Sequence, residues 1–278
     1  MLTFGLWKWF RMKYIRILFI LFTLILVSLF ARNQVSEYFS LAELTYNDSP
    51  LTIPDYLMGM LNMPQFFMFF AFPVLFSILI ADLITDDFEE GYALFILARL
   101  RNRTQYIINK LTLLLVTSFF YLFLIVLISV ISWWTLGTPF NGETFHYIFI
   151  SDSEVGIPTG ITWIKVFSFF LLGIFSHGLL TLVITQFTGK PSLTIGLIII
   201  MAFIYNGLYV ASQNSIALLP LSQYVVGMHN EYEPFGLPIQ YFNLINSYLY
   251  LIIISIVLII ILVIKFKNDD LESNEKSN

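Results

Sequence analysis

The residues of this sequence best equipped for chemistry are an adjacent carboxylate pair, Glu89-Glu90, three histidines, and a single Gly-Lys pair. Paired glutamates in apolar sequence could support proteolysis at membrane depth. Such a site would also need an arginine four residues past the pair, where Leu94 stands. It would further need a phenylalanine four residues before a histidine, where Gly142, Gly173 and Val225 stand. A site requires its whole constellation, so proteolysis is set aside. His146, His177 and His229 are too scattered for a helical metal-ligand spacing. Gly189-Lys190 is followed by Pro191 and preceded by Ile184 where a phosphate-binding loop needs its first glycine, which excludes nucleotide hydrolysis by that motif. With no cysteine, disulfides and thiolate chemistry are excluded as well.

The elements that carry these residues are set by composition. Apolar residues make up 58% of the 278 and charged residues 12%, against about 25% in a soluble domain. Mean hydropathy is +0.82. The expected class is an all-α integral membrane protein forming one transmembrane domain over 1–278 without an attached soluble enzyme. Spans are expected at about 14–30, 64–83, 111–136, 161–187, 192–211 and 247–264. Trp7, Trp9 and Phe10 beside Lys8, Arg11 and Lys13 read as an interfacial lead-in helix. Residues 32–63 read as a polar loop with turn signals. Pro73 should kink the second span. Residues 212–246 are too short to span and too apolar for a free loop, so a re-entrant or interface-lying helix pair is expected. The tail after Lys265 reads as charged and frayed.

Lys and Arg sort 12 to 2 across six spans, with only Arg32 and Lys165 on the minority side, while the 18 acidic residues divide equally. Since orientation follows Lys and Arg, both termini are expected in the cytoplasm. His177 lies mid-span on a face with Gly173, Thr181 and Thr185. Two readings stay open for it: His177 and Thr181 on a proton or substrate path, or a neutral histidine bonded between close-packed helices.

The most densely charged interruption between spans runs from Asp82 to Lys110. It opens with Asp86, Asp87, Glu89 and Glu90, passes Gly91, and closes with Arg99, Arg101, Arg103 and Lys110. Acids first and bases last complement a helix dipole. Phe88, Tyr92, Phe95 and Ile96 recur at helical spacing as one apolar stripe. This stretch resembles the cytoplasmic loop of ABC-2 type (type V exporter) permeases, in which a Glu-x-Gly opens a loop helix and a basic turn and a lysine lead into the third span. Glu89, Gly91, Arg103 and Lys110 fill those roles here, whereas Leu94 and Leu100 stand where the family often has Glu and Pro.

The resemblance extends to the lead-in helix, the six spans and the broken segment before the last. It implies a permease subunit in a bacterial plasma membrane that homodimerises or pairs with a similar subunit, with no nucleic acid among its partners. The subunit would carry no cofactor or ATPase site of its own, because a separate cytoplasmic ATP-binding cassette ATPase would use the ATP. The loop would then be a coupling helix, with Phe88, Tyr92 and Phe95 entering a groove on the ATPase and Asp86, Asp87, Glu89, Glu90, Arg99 and Arg103 fixing register. A non-transporting membrane immunity or sensory protein is the alternative.

Overall fold

The computed structural model describes residues 2–41, 51–89, 103–140, 160–231, 237, 239 and 241–275. Among them the chain is helical with no strand, and six helices are long and apolar enough to cross a membrane. It is a multi-pass membrane protein.

Helix α1, Leu2–Leu41, carries span 1 without a break. Its 40 residues reach about 60 Å, roughly twice a bilayer's hydrocarbon thickness. The expected lead-in therefore continues span 1 rather than forming a separate helix. Helix α2, Ile53–Asn62, does not span, yet nearly all of it is buried. This corrects the polar loop expected there. Thr52 and Asp55 cap it, with the Thr52 backbone N–H donating to the Asp55 carboxylate at 2.7 Å. Its apolar face, with Leu57, Met58, Met60 and Leu61, packs beneath the ends of spans 1 and 3.

Span 2 has three parts: a π-helical segment, Pro64–Ala71, then α3, Phe72–Ile80, and a turn into the short α4, Thr85–Glu89. It is the most enclosed span, with 89% of its apolar window buried. The later spans are α5, Arg103–Thr135, α6, Gly160–Thr188, α7, Pro191–Ala211, and the long α9, Leu244–Glu275. The tail expected to fray thus continues the last helix to Glu275. Span 1 packs on span 3, span 6 on span 4, and span 4 also on spans 2, 3 and 5. Gly189, at φ +66°, makes the tight turn between α6 and α7, which only a residue without Cβ adopts readily.

The stretch after α7 forms a one-turn helix, α8 (Gln213–Ile216), a run of turns and a 3-10 turn at Val226–Met228, not a helix pair. Most of its backbone is irregular, which is tolerated at membrane depth only when enclosed by protein. From Leu221 to His229 every residue is buried. The Asn62 side-chain carbonyl accepts from the Gly227 N–H at 2.9 Å, tying this stretch to α2.

Pro73 explains how the stretch is held. Just before it the helix takes the i→i−5 register, with the Phe72 N–H donating to the Phe67 carbonyl. In that register the next carbonyl, Met68, would accept from residue 73, but proline has no N–H. The Tyr224 hydroxyl donates to Met68 instead. Tyr224 reaches it across Gly173, where a methyl group would overlap the tyrosine ring. The expected kink is thus a change of helical register with a donor imported from another segment.

Removing that donor with Tyr224→Phe strands a buried carbonyl, so the apparent unfolding midpoint in detergent should fall by an amount worth about 1–3 kcal/mol. Adding Pro73→Ala restores a backbone donor and should recover part of the loss. An equal midpoint for Tyr224→Phe and wild type would contradict the pairing.

Candidate functional site

Where the terminal end of the bundle meets span 2, six charged side chains from three spans converge. Asp82, in the turn after α3, pairs with Lys13 and Arg16 of α1. Lys13 also reaches Asp86 at 3.3 Å. Asp87 receives Lys110 of α5 at 2.7 Å and the Tyr106 hydroxyl at 3.1 Å. Lys110 donates as well to the Leu83 carbonyl at 2.7 Å, one of the acceptors left free where a helix ends. Its ammonium lies 5.4 Å from the Tyr106 ring centre, and that ring stacks on Phe266 of span 6. Three carboxylates thus face three cations.

Burial decides what such a cluster does. The Lys13 and Asp82 side chains are 5% and 2% exposed, whereas Arg16 is 46% exposed. Deep ion pairs add little net stability over apolar packing, because both charges lose water. Removing one partner is another matter, since the remaining charge is stranded. The cluster therefore fixes register strongly: Asp82, Asp86 and Asp87 hold the end of span 2 and the start of α4 against spans 1 and 3.

Asp86 and Asp87, expected to face a partner, instead make these internal pairs. The backbone of Phe88 and Glu89 completes α4, and Arg103 opens α5. Glu90, Gly91, Tyr92, Phe95 and Arg99 lie outside the described residues. Lys13, Arg16, Asp82 and Tyr106 were not expected as site residues, and Lys110 was expected only as the lysine leading into the third span. The available signal was Asp82 itself, an acid closing an apolar run that must find a cation nearby.

His177 and Thr181 are buried between spans 4 and 2. His177 Nε2 lies 2.9 Å from Ser77 Oγ, and Ser77 Oγ lies 3.0 Å from Thr181 Oγ1. Thr181 donates to the His177 carbonyl at 3.0 Å. The two residues make a polar contact between helices, and a cavity of about 50 Å³ lies beside His177, against span 6. The third region is around His229, which lies outside the spans and stacks on Phe242 at 4.6 Å with its Nδ1 2.9 Å from the Val226 carbonyl. Burial pushes its pKa down to about 4. Among the described residues no three His, Cys, Asp or Glu side chains cluster as metal ligands.

Together, the fold and the charged cluster define a polytopic helical membrane protein whose terminal end is cross-braced by ion pairs. The chain belongs to the family described as protein of unknown function (DUF2705), whose model matches residues 21–271. No curated protein and no solved structure matches it.

Two outcomes are expected here. Lys110→Met alone should cost about 3–5 kcal/mol by stranding Asp87, while Lys110→Met with Asp87→Leu should recover most of that, read as unfolding midpoints. His229 gives a pH dependence. Between about pH 6.5 and 4 the unfolded chain takes up a proton that the folded chain refuses, so stability should fall as pH drops through that window and level off below it. His229→Phe should make the fall shallower in a pH series of unfolding midpoints.

Proposed function

We propose that this chain is the permease subunit of an ATP-binding cassette exporter, driven by a separate cytoplasmic ATPase. On this reading it sits in a bacterial plasma membrane with both termini in the cytoplasm, as the 12 to 2 division of Lys and Arg favours. It pairs with a second copy or a similar permease and moves an amphipathic or hydrophobic substrate. ATP is bound and hydrolysed on the partner, so the permease contributes mechanics rather than chemistry.

The observation that carries the reading is the ion-paired brace at α4. A partner pushing on the loop after Glu89 needs that loop rigidly joined to the spans that must move. Asp82 and Asp86 to span 1, and Asp87 to span 3, make such a joint at the base of the most enclosed span. A push there would shift spans 1, 2 and 3 as one body, and the register change before Pro73 gives span 2 a place to bend. Phe88, Tyr92 and Phe95 then serve as the aromatic anchors for docking, with Glu89, Glu90, Arg99 and Arg103 fixing register. His177 and Thr181 lie on the contact between spans 2 and 4, which substrate passage would have to loosen.

The test is to purify the chain with its candidate ATPase. Phe88→Ala should weaken the complex by about 2 kcal/mol, roughly 30-fold in affinity, and Glu89→Lys should lower both association and ATP turnover. Unchanged complex formation and turnover in both variants would sink the coupling role and favour the immunity or sensory alternative.

A further inference from the structure

Spans 5 and 6 both pack on span 4, yet among the described residues no packed interface joins them to each other. The cavity of about 50 Å³ lies where they diverge. Met201 and Tyr205 of span 5, Ile254 and Leu258 of span 6, and Leu180 of span 4 border it, with Leu221 of the inward stretch. Its wall is almost wholly apolar and carries no charged residue. Leu180, Met201 and Ile254 are only half-buried, and the cavity is a partly open crevice rather than a sealed void. Along the same helices Ile204, Ile253 and Val257 are exposed, so the wall is continuous with the lipid-facing surface of spans 5 and 6.

Depth narrows the choice of occupant. Three of the bordering residues, Ser176, Met201 and Ile254, each lie within a residue of the middle of their spans, Thr162–Thr188, Pro191–Ala211 and Leu244–Phe266. The crevice is therefore level with the bilayer midplane, where the ends of lipid acyl chains meet. Water needs about two to four polar partners, and this wall offers almost none. Ser176 is engaged elsewhere, with its hydroxyl 2.6 Å from that of Ser255 and donating to the Leu172 carbonyl at 2.7 Å. Left empty, the lining atoms would forfeit dispersion contacts on one side. Uncharged hydrocarbon matches an uncharged wall, and the volume suits a few carbons rather than a helix or a headgroup.

We propose that this crevice takes the end of a lipid acyl chain, which enters from the bilayer between spans 5 and 6 and rests on span 4. The chain end supplies the contacts that the two spans do not make with each other. This site does not depend on the transport reading.

The test uses the intact protein in lipid nanodiscs containing phosphatidylcholine with a photoactivatable diazirine near the end of one acyl chain. A second lipid carries the diazirine near the carboxyl carbon. After illumination, labelled residues are mapped by mass spectrometry. Tyr205, Leu221 and Leu258 are buried, so a probe confined to the protein's outer surface does not reach them. The chain-end probe should label at least one of these three, severalfold more than the carboxyl-end probe does. Ile254→Phe, which fills the crevice, should abolish that labelling while exposed Phe203 on span 5 stays labelled. Labelling confined to exposed residues, or equal labelling of the three by both probes, overturns the proposal. The wild-type comparison decides this even if Ile254→Phe does not fold.

Discussion

A backbone carbonyl inside a membrane has no water to bond, so every one released by an irregularity must find a donor within the protein. Pro73 releases one such group in the most enclosed span, and much of the architecture follows from supplying that donor. Tyr224 reaches the Met68 carbonyl only because the chain after α7 turns inward and stays buried. It gets there only because position 173 has no side chain. The same inward stretch bonds α2 through Asn62. One missing N–H thereby ties together span 2, span 4, the segment before span 6 and the buried helix after span 1.

The two ends of the bundle are closed by different forces. Away from the termini, α2 and the inward stretch close it by apolar packing and single hydrogen bonds, with Trp133 donating to the Ser28 carbonyl and Ser36 bonded to Tyr56. At the terminal end the closure is electrostatic, with equal numbers of cations and carboxylates in fixed register. Packed apolar surfaces slide at little penalty, whereas a paired buried charge cannot leave its partner without paying desolvation. The charged end therefore moves as a block, and whatever conformational freedom the bundle has lies toward its middle and its other end.

The spans were legible in the sequence because hydropathy needs only length and composition, and each apolar run lies within a continuous helix or, for span 2, within its π-helical and α-helical parts. Where reading by composition failed, the context was three-dimensional. Residues 53–62 look like loop because acids and prolines flank them, yet Thr52, Pro54 and Asp55 were already a helix start. Asp86 and Asp87 read as outward charge since their partners, Lys13 and Lys110, lie 73 residues before and 23 residues after them in sequence. No periodicity reports a pairing at that distance. Pro73 announced a disturbance, but the identity of its replacement donor, 151 residues on, was not written locally. His177 was legible as a buried polar residue, whereas its bond to Ser77 on another span was not.

The brace also has consequences for biosynthesis. Lys13 and Arg16 leave the ribosome long before Asp82, so the first helix enters the membrane with its cations unsatisfied, able to orient the chain by their charge alone. Their partner arrives only when the second span has been made, and Lys110 finds Asp87 one helix later still. Each pairing would thus act as a checkpoint in assembly, the earlier helix staying free to shift until the opposite charge that fixes it has emerged.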